Sequence, residues 1–406
     1  MATLAQHRAS GGPVLLSYGF RPFFLAGAAW AALGMALWLP VWLGDIQFPT
    51  IFAAMDWHAH EMLFGFLAAI VAGFLLTAVA NWTGRPPVRN ALLSALIVVW
   101  IAGRVAVALS ARLGGLLAAG IDLAFLALLA GVVAREIIAA GNWRNIVVVG
   151  LVLLLLAGNL AFHAAALAGE PADLARRLTV ATAIGLILLI GGRIIPAFTR
   201  NGLLRAGPGR LPAAAGLVDR TSVGLAAVAL AAWVGAPDSG PTAALLLAAA
   251  VGQAVRLARW AGERTLHEPL LAILHVGYAF VPVGFTLAGL AILRPESVPA
   301  SAAIHAWTAG AVGVMTLAMM TRVALGHTGR SLTANTATRL AYALVLAAVG
   351  LRLLAAFDPA AVRLLLILSA ATWIAAFVLY GVAYGPILAR PRADARPRPM
   401  GGVKKP

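Results

Sequence analysis

Two imidazoles, a carboxylate and a thioether crowd into the run Trp57-His58-Ala59-His60-Glu61-Met62. On a helix, residues two apart point about 200° away from each other, so His58 and His60 reach one metal only if the chain unwinds there. His58, Glu61 and Met62 instead share a face by their i, i+3, i+4 spacing. One histidine of the pair then serves as a ligand, and the other serves a neighbouring site. The chain has 8 histidines and 0 cysteines, which excludes disulfides, thiolate nucleophiles, iron–sulfur clusters and Cys-bound zinc. Any metal is left to His, carboxylate or Met, and imidazole is the usual protein ligand of haem iron and copper.

A second dense run begins at His305-Ala306-Trp307 and continues through Gly310, Gly313, Met315, Met319 and Met320 to Thr321-Arg322. Its small residues let a flat ring or another helix approach closely; its methionines are in the main apolar filler. Gly191-Gly192-Arg193 precedes Pro196, and a helix end there would offer Arg193 to a propionate or to lipid phosphate. Phosphate-binding loops, dinucleotide fingerprints, HExxH and Ser-His-Asp spacings are all missing. So are RNP-type aromatics and zinc-finger spacings, which leaves no nucleic-acid partner and no evident obligate protein partner.

The elements that must position these groups follow from composition. Hydrophobic residues make up 62% of the 406 and charged residues 11%, against roughly 45–50% and about 25% in an ordinary globular domain. With a mean hydropathy of +0.93, the solvent is a bilayer, and the fold class is an all-α polytopic bundle. Spans of about 20 apolar residues fall near 23–43, 58–80, 91–110, 113–137, 146–168, 178–198, 217–234, 242–260, 269–293, 299–322, 337–356 and 362–389. They form one twelve-helix membrane domain over 23–389, preceded by a short segment 1–22 with no cleavable leader. A loop at 199–216 separates six spans from six, and a basic, disordered tail follows at 390–406.

Alternate loops carry 23 and 6 Lys and Arg residues, which places both termini in the cytoplasm and explains the net charge of +16. With that orientation His58, His60, Glu61, Arg104, Asp122, His163 and His305 gather in the outer leaflet from spans 2, 3, 4, 5 and 10. Ionisable groups in lipid cost at least about 2.5–3.5 kcal/mol each, so Glu61 and Arg104 are expected to meet, directly or through a propionate or water. A lone membrane histidine is most often a structural hydrogen-bond donor and an arginine at a span end snorkels; the coincidence of so many is what marks a site. A thinner group of His275, His327, Arg193, Arg200 and Arg322 lies toward the cytoplasm, where it could hold a second haem.

Over nearly the whole chain these residues resemble the NnrS family. The matching stretches are GFRPFFLAG (19–27), WHAHEMLFGFLAAIVAGFLLTAVANWTGRPP (57–87), WIAGR (100–104), GGRIIPAFTRNGL (191–203), RLARW (256–260), EPLLAILHVGYA (268–279), HAWTAGAVGVMTLAMMTRVALGHTGR (305–330) and YGPILARPR (384–392). The resemblance implies a bacterial inner-membrane protein containing haem and copper, tied to denitrification and to tolerance of nitric oxide. His58, His60, His275, His305 and His327 sit inside the matching motifs as metal ligands, His163 matches more weakly, and Asp122 has no motif.

The expected function is that of a metalloprotein holding haem b and copper, or another second metal, that binds and reduces nitric oxide using electrons from a separate donor. His60 and His305 are the expected haem ligands, with Glu61 as the proton-supplying catalytic group. Arg104, Arg193 and Arg322 are expected beside cofactor carboxylates. The alternatives are a non-catalytic haem sensor or carrier, and a proton-coupled transporter with the histidines as protonation sites.

Overall fold

The computed structural model describes residues 12–395. His7, the first part of the expected N-terminal segment and the end of the basic tail lie outside the described residues. Twelve helices are long and apolar enough to cross a membrane: α1 Phe20–Leu43, α2 Ala54–Thr83, α3 Asn90–Ala108, α4 Gly115–Ala139, α5 Trp143–Ala168, α6 Asp173–Ala206, α7 Leu217–Gly235, α8 Gly240–Ala258, α9 Pro269–Leu293, α10 Ala300–His327, α11 Thr336–Phe357 and α12 Val362–Ala389. No strand occurs among the described residues. Helix is the form in which each segment satisfies its own backbone without water. Twelve crossings return the chain to the side on which it started. Below, the entry face is the one where α2, α6 and α10 begin, and the exit face is the one where they end.

Several boundaries differ from those expected. α2 begins at Ala54, so His58 and His60 sit a turn deeper than the start of the span. α6 runs on to Ala206, through the sequence expected to be a loop from 199, because a helix leaving the lipid can carry Arg200, Asn201 and Arg205 into water without ending. Arg193 is therefore inside a continuous helix, not at a helix end. His327 is the last residue of α10, where a loop was expected.

α2 and α10 are the central helices: 78% of each one's most apolar stretch is buried, against 33–50% for the other ten. Both are interrupted by π-helix, at Glu61–Leu67 and Ala306–Val314, and α6 has a third such segment at Ile187–Gly191. A π turn breaks the regular i→i−4 bonding and recurs at functional sites. Here buried side-chain donors bond to carbonyls of two of these segments. Trp100 Nε1 donates to Gly65 O at 3.0 Å, and an Arg256 guanidinium N–H donates to Leu188 O at 3.1 Å. Arg256 also donates to Tyr278 Oη at 2.8 Å and faces Asp219 at 3.2 Å. Gly192 is what admits it, since a Cβ there would overlap the guanidinium.

The first and last spans close the bundle. Trp373 Nε1 on α12 donates to Ala31 O on α1 at 3.0 Å. Buried Arg21 donates to Leu388 O at 2.5 Å and Arg390 O at 2.8 Å, capping the C-terminus of α12 with a cation as its dipole favours. The described start of the tail folds back on the exit end of α10: Ala393 N–H donates to Thr328 O at 2.9 Å, and Arg392 to His327 O at 3.2 Å. Outside the spans, the Arg392 guanidinium holds the Asp394 carboxyl below its ordinary pKa.

Candidate metal and cofactor site

His58 and His60 go to different places, as their angular separation requires. His60 is fully buried and turns toward α4 and α5. Its Nδ1 lies 3.1 Å from Glu61 Oε1, and its Nε2 lies 2.9 Å from Asn159 Oδ1 and 3.2 Å from Asp122 Oδ2. His163 Nε2 is 3.0 Å from the same Asp122 oxygen, to which Asn159 Nδ2 donates at 2.9 Å. Arg104 completes the network, donating to Glu61 Oε2 at 2.8 Å and closely to Asp122 Oδ1. All six side chains are almost wholly buried, and Phe52, Phe64 and Phe162 pack around the His60 ring.

The expected meeting of Glu61 and Arg104 is thus direct. It depends on the approach of α3 to α4 at Gly103, where a Cβ would lie 2.7 Å from Asp122 Oδ1 and 3.2 Å from its Cα. Arg104 takes one Asp122 oxygen and leaves the other facing both imidazoles. Donor atoms of His60, Asp122 and His163 all lie within 4.8 Å of one another, a grouping that can hold a metal ion.

On the other side of α2, His58 faces a cavity of about 510 Å³, inside the range of about 300–1,000 Å³ typical of small-molecule and cofactor sites. His305 on α10 lines the same cavity, with Met35, Trp38, Met55, Met62, Phe66 and Trp373. The Trp38 and His58 ring centroids are 4.4 Å apart. Met62 faces the cavity with His58 as expected, but Glu61 does not, because Arg104 and His60 draw its carboxylate into the network. His60 and His305, the expected haem ligands, do not line one cavity; His58 and His305 do.

The polar groups of this cavity differ in their partners. His305 Nδ1 lies 2.8 Å from Ser301 O, which fixes the proton on Nδ1 and leaves Nε2 with a free lone pair. His58 Nδ1 is buried and has no hydrogen-bond partner. Arg176 and Arg352 also line the cavity. Arg176 is paired with Asp56 at 3.3 Å and closely with Asp173, whereas Arg352 has no hydrogen-bond or ion-pair partner among the described residues.

The thinner exit-side group does not assemble. His275 Nε2 lies 2.8 Å from Thr199 Oγ1, and its ring packs on Trp260. His327 packs instead on Tyr18 and Phe20 of the first helix and the turn before it. Arg193 is exposed and donates to Asn145 Oδ1 at 3.1 Å, Arg200 is exposed, and Arg322 lies over the Phe198 ring at 4.3 Å.

Three site residues escaped the sequence reading. Asn159 stands four residues before His163, on the same helical face, a spacing that would have found it. Arg176 and Arg352 entered only the count that oriented the spans, although Arg352 lies within one.

No curated protein matches the chain. The family model described as NnrS protein matches residues 14–392, a stretch that includes all twelve spans, both histidine clusters and the arginines beside them. The chain is a polytopic membrane protein that belongs to the NnrS family.

Proposed function

We propose that this protein binds haem b in the cavity between His58 and His305 and a second metal at His60, Asp122 and His163, and that it disposes of nitric oxide. The observation that carries the reading is the pair of imidazoles lining one apolar cavity beside an arginine that has no hydrogen-bond or ion-pair partner among the described residues. His305 offers a fixed Nε2 lone pair, and His58 offers a ring with an unsatisfied nitrogen. Arg352 and Arg176 supply cations for the two carboxylates of the group. Trp38, Phe66, Trp373 and the three methionines give the ring a largely apolar seat. Bound there, haem would supply one-electron chemistry, and it would take a diatomic gas where one of the two imidazoles leaves the iron free.

The second metal uses two imidazoles and one carboxylate oxygen, a nitrogen and oxygen set that suits copper, iron or zinc; the family resemblance favours copper. Arg104 neutralises the carboxylates without occupying Asp122 Oδ2, the oxygen both rings face. Glu61 and His60 share a hydrogen bond, so a proton taken into the network can rest on either. Because His58 and His60 are two residues apart on α2, that proton store lies little more than half a helical turn of backbone from the cavity. An arginine-rich face in the cytoplasm would place the cavity toward the outer side of a bacterial inner membrane.

Purified protein from haem-supplemented cells is expected to show a Soret band together with a non-haem metal. Metal analysis finding neither iron nor copper overturns the reading. With a reductant present, nitric oxide consumption beyond one equivalent per haem identifies an enzyme; consumption that stops at one equivalent identifies a carrier or sensor.

A further inference from the structure

A second, smaller opening lies between the three helices that contain π segments. It has a volume of about 90 Å³ and is lined by Leu67 of α2, Ile187, Ile190 and Gly191 of α6, and Val312 and Met315 of α10, among other apolar groups. Each π segment contributes to it, and all three are near the middle of their helices. Ile187 and Ile190 are only half-buried, so the cleft begins at the lipid-facing surface. Val312 is 4% exposed and lines both this cleft and the His58–His305 cavity. Among the residues that line the two spaces, Val312 is common to both.

We infer that this cleft is the bilayer-side entry by which a small apolar gas reaches the cavity, with Val312 at the junction. The inference rests on the cofactor reading of that cavity and adds the route by which its ligand arrives. The space is large enough for a diatomic molecule, exceeding the roughly 30 Å³ that one water occupies in the liquid. The lining has no charged group, so a dissolved apolar gas meets no desolvation cost. A polar solute would leave its hydrogen bonds behind at several kcal/mol per group. The entry-face approach to the same cavity passes Arg176 and Arg352, which suits an anion better than a gas. The regular helical bonding that would pack α2, α6 and α10 closely is relaxed at the depth where the cleft lies.

Two measurements test it on the full-length protein. Xenon-pressurised crystals, which need no haem, are expected to show xenon beside Leu67, Ile187 and Val312 in the parent, and none in Val312→Phe. Gly191→Ala provides a gentler narrowing, since its Cβ would meet only Met315 Cε, Ile187 and Ile195 at 3.5–3.7 Å. In haem-loaded protein, carbon monoxide rebinding after photolysis is expected to slow about tenfold in Val312→Phe and in Ile187→Trp, the latter at a residue that lines the cleft and not the haem cavity and so keeps the parent's absorption spectrum, with normal rates in the lipid-facing control Leu128→Phe. Absence of xenon from the parent cleft overturns the inference, and so does an unchanged rebinding rate in a Val312→Phe protein that has lost the xenon site. Protein that takes up no haem sinks the cofactor reading instead, and the xenon result still decides whether the cleft admits an apolar gas.

Discussion

Arg104 donates to Glu61 at 2.8 Å with both side chains no more than 3% exposed. Neither residue can be explained alone, since an unpaired charge in lipid is costly; together with Asp122 and His60 they form a network in which each charge has a partner. Removing one member of a buried pair leaves the other uncompensated, at a cost of about 3–5 kcal/mol. Glu61→Gln is therefore expected to lower the thermal midpoint in detergent clearly. Arg363→Gln, at an exposed position, should stay within about 0.5 kcal/mol of the parent. If the two variants melt alike, the network does not hold the fold together.

The two histidines of the α2 motif should separate by cofactor. His58→Ala and His305→Ala are each expected to lower haem occupancy, read from the Soret absorbance per protein. His60→Ala and His163→Ala should leave haem largely in place while reducing the non-haem metal measured by mass spectrometry. Loss of haem in His60→Ala with retention in His58→Ala would reverse the assignment.

Arg352 provides a test of carboxylate binding. Arg352→Gln removes a cavity cation that has no hydrogen-bond or ion-pair partner among the described residues, and a hydrogen bond to a charged group contributes about 1.5–3 kcal/mol. Haem affinity in titration is expected to fall by tenfold or more in round terms, and Arg352→Lys should recover part of it. Equal affinities for parent and Arg352→Gln would place the carboxylates elsewhere.

Helix packing at the two glycines can be examined by adding one methyl group. Gly192→Ala forces the Arg256 guanidinium off Leu188 O, and Gly103→Ala pushes α4 and its Asp122 away from Arg104. Overpacking of this kind costs about 1–3 kcal/mol. Both variants should lose thermal stability, and only Gly103→Ala should also reduce the non-haem metal. A Gly103→Ala protein with full metal content would detach that site from the α3–α4 contact.

His275 and His327 are expected to act in separate structural contacts. Each alanine variant should keep the haem-to-protein ratio of the parent, and His275→Ala should lose about 1–3 kcal/mol by leaving Thr199 without its partner. A parent with two haems that falls to one in both variants would restore a shared exit-side site.

The membrane class was legible in the sequence because it is set by composition: a chain 62% hydrophobic and 11% charged has no polar surface to present to water. The twelve spans follow from run length, and the separate destinations of His58 and His60 follow from helical angle alone. Depth along a span was legible as well, which is why Glu61, Arg104 and His163 were grouped before any contact was known. Ends were less so, because polar residues such as Arg200 read as loop whether or not the helix continues into water. Rotation of one helix against another was not legible. Hydrophobic residues surround most spans on all sides, α2 and α10 among them, so no apolar stripe says which of their faces meets which neighbour. The π segments add further turns that a regular helical count misses. Only the tertiary packing could therefore place His58 rather than His60 in one cavity with His305, bring Asn159 and Asp122 to one oxygen between two imidazoles, and send His275 and His327 to different junctions.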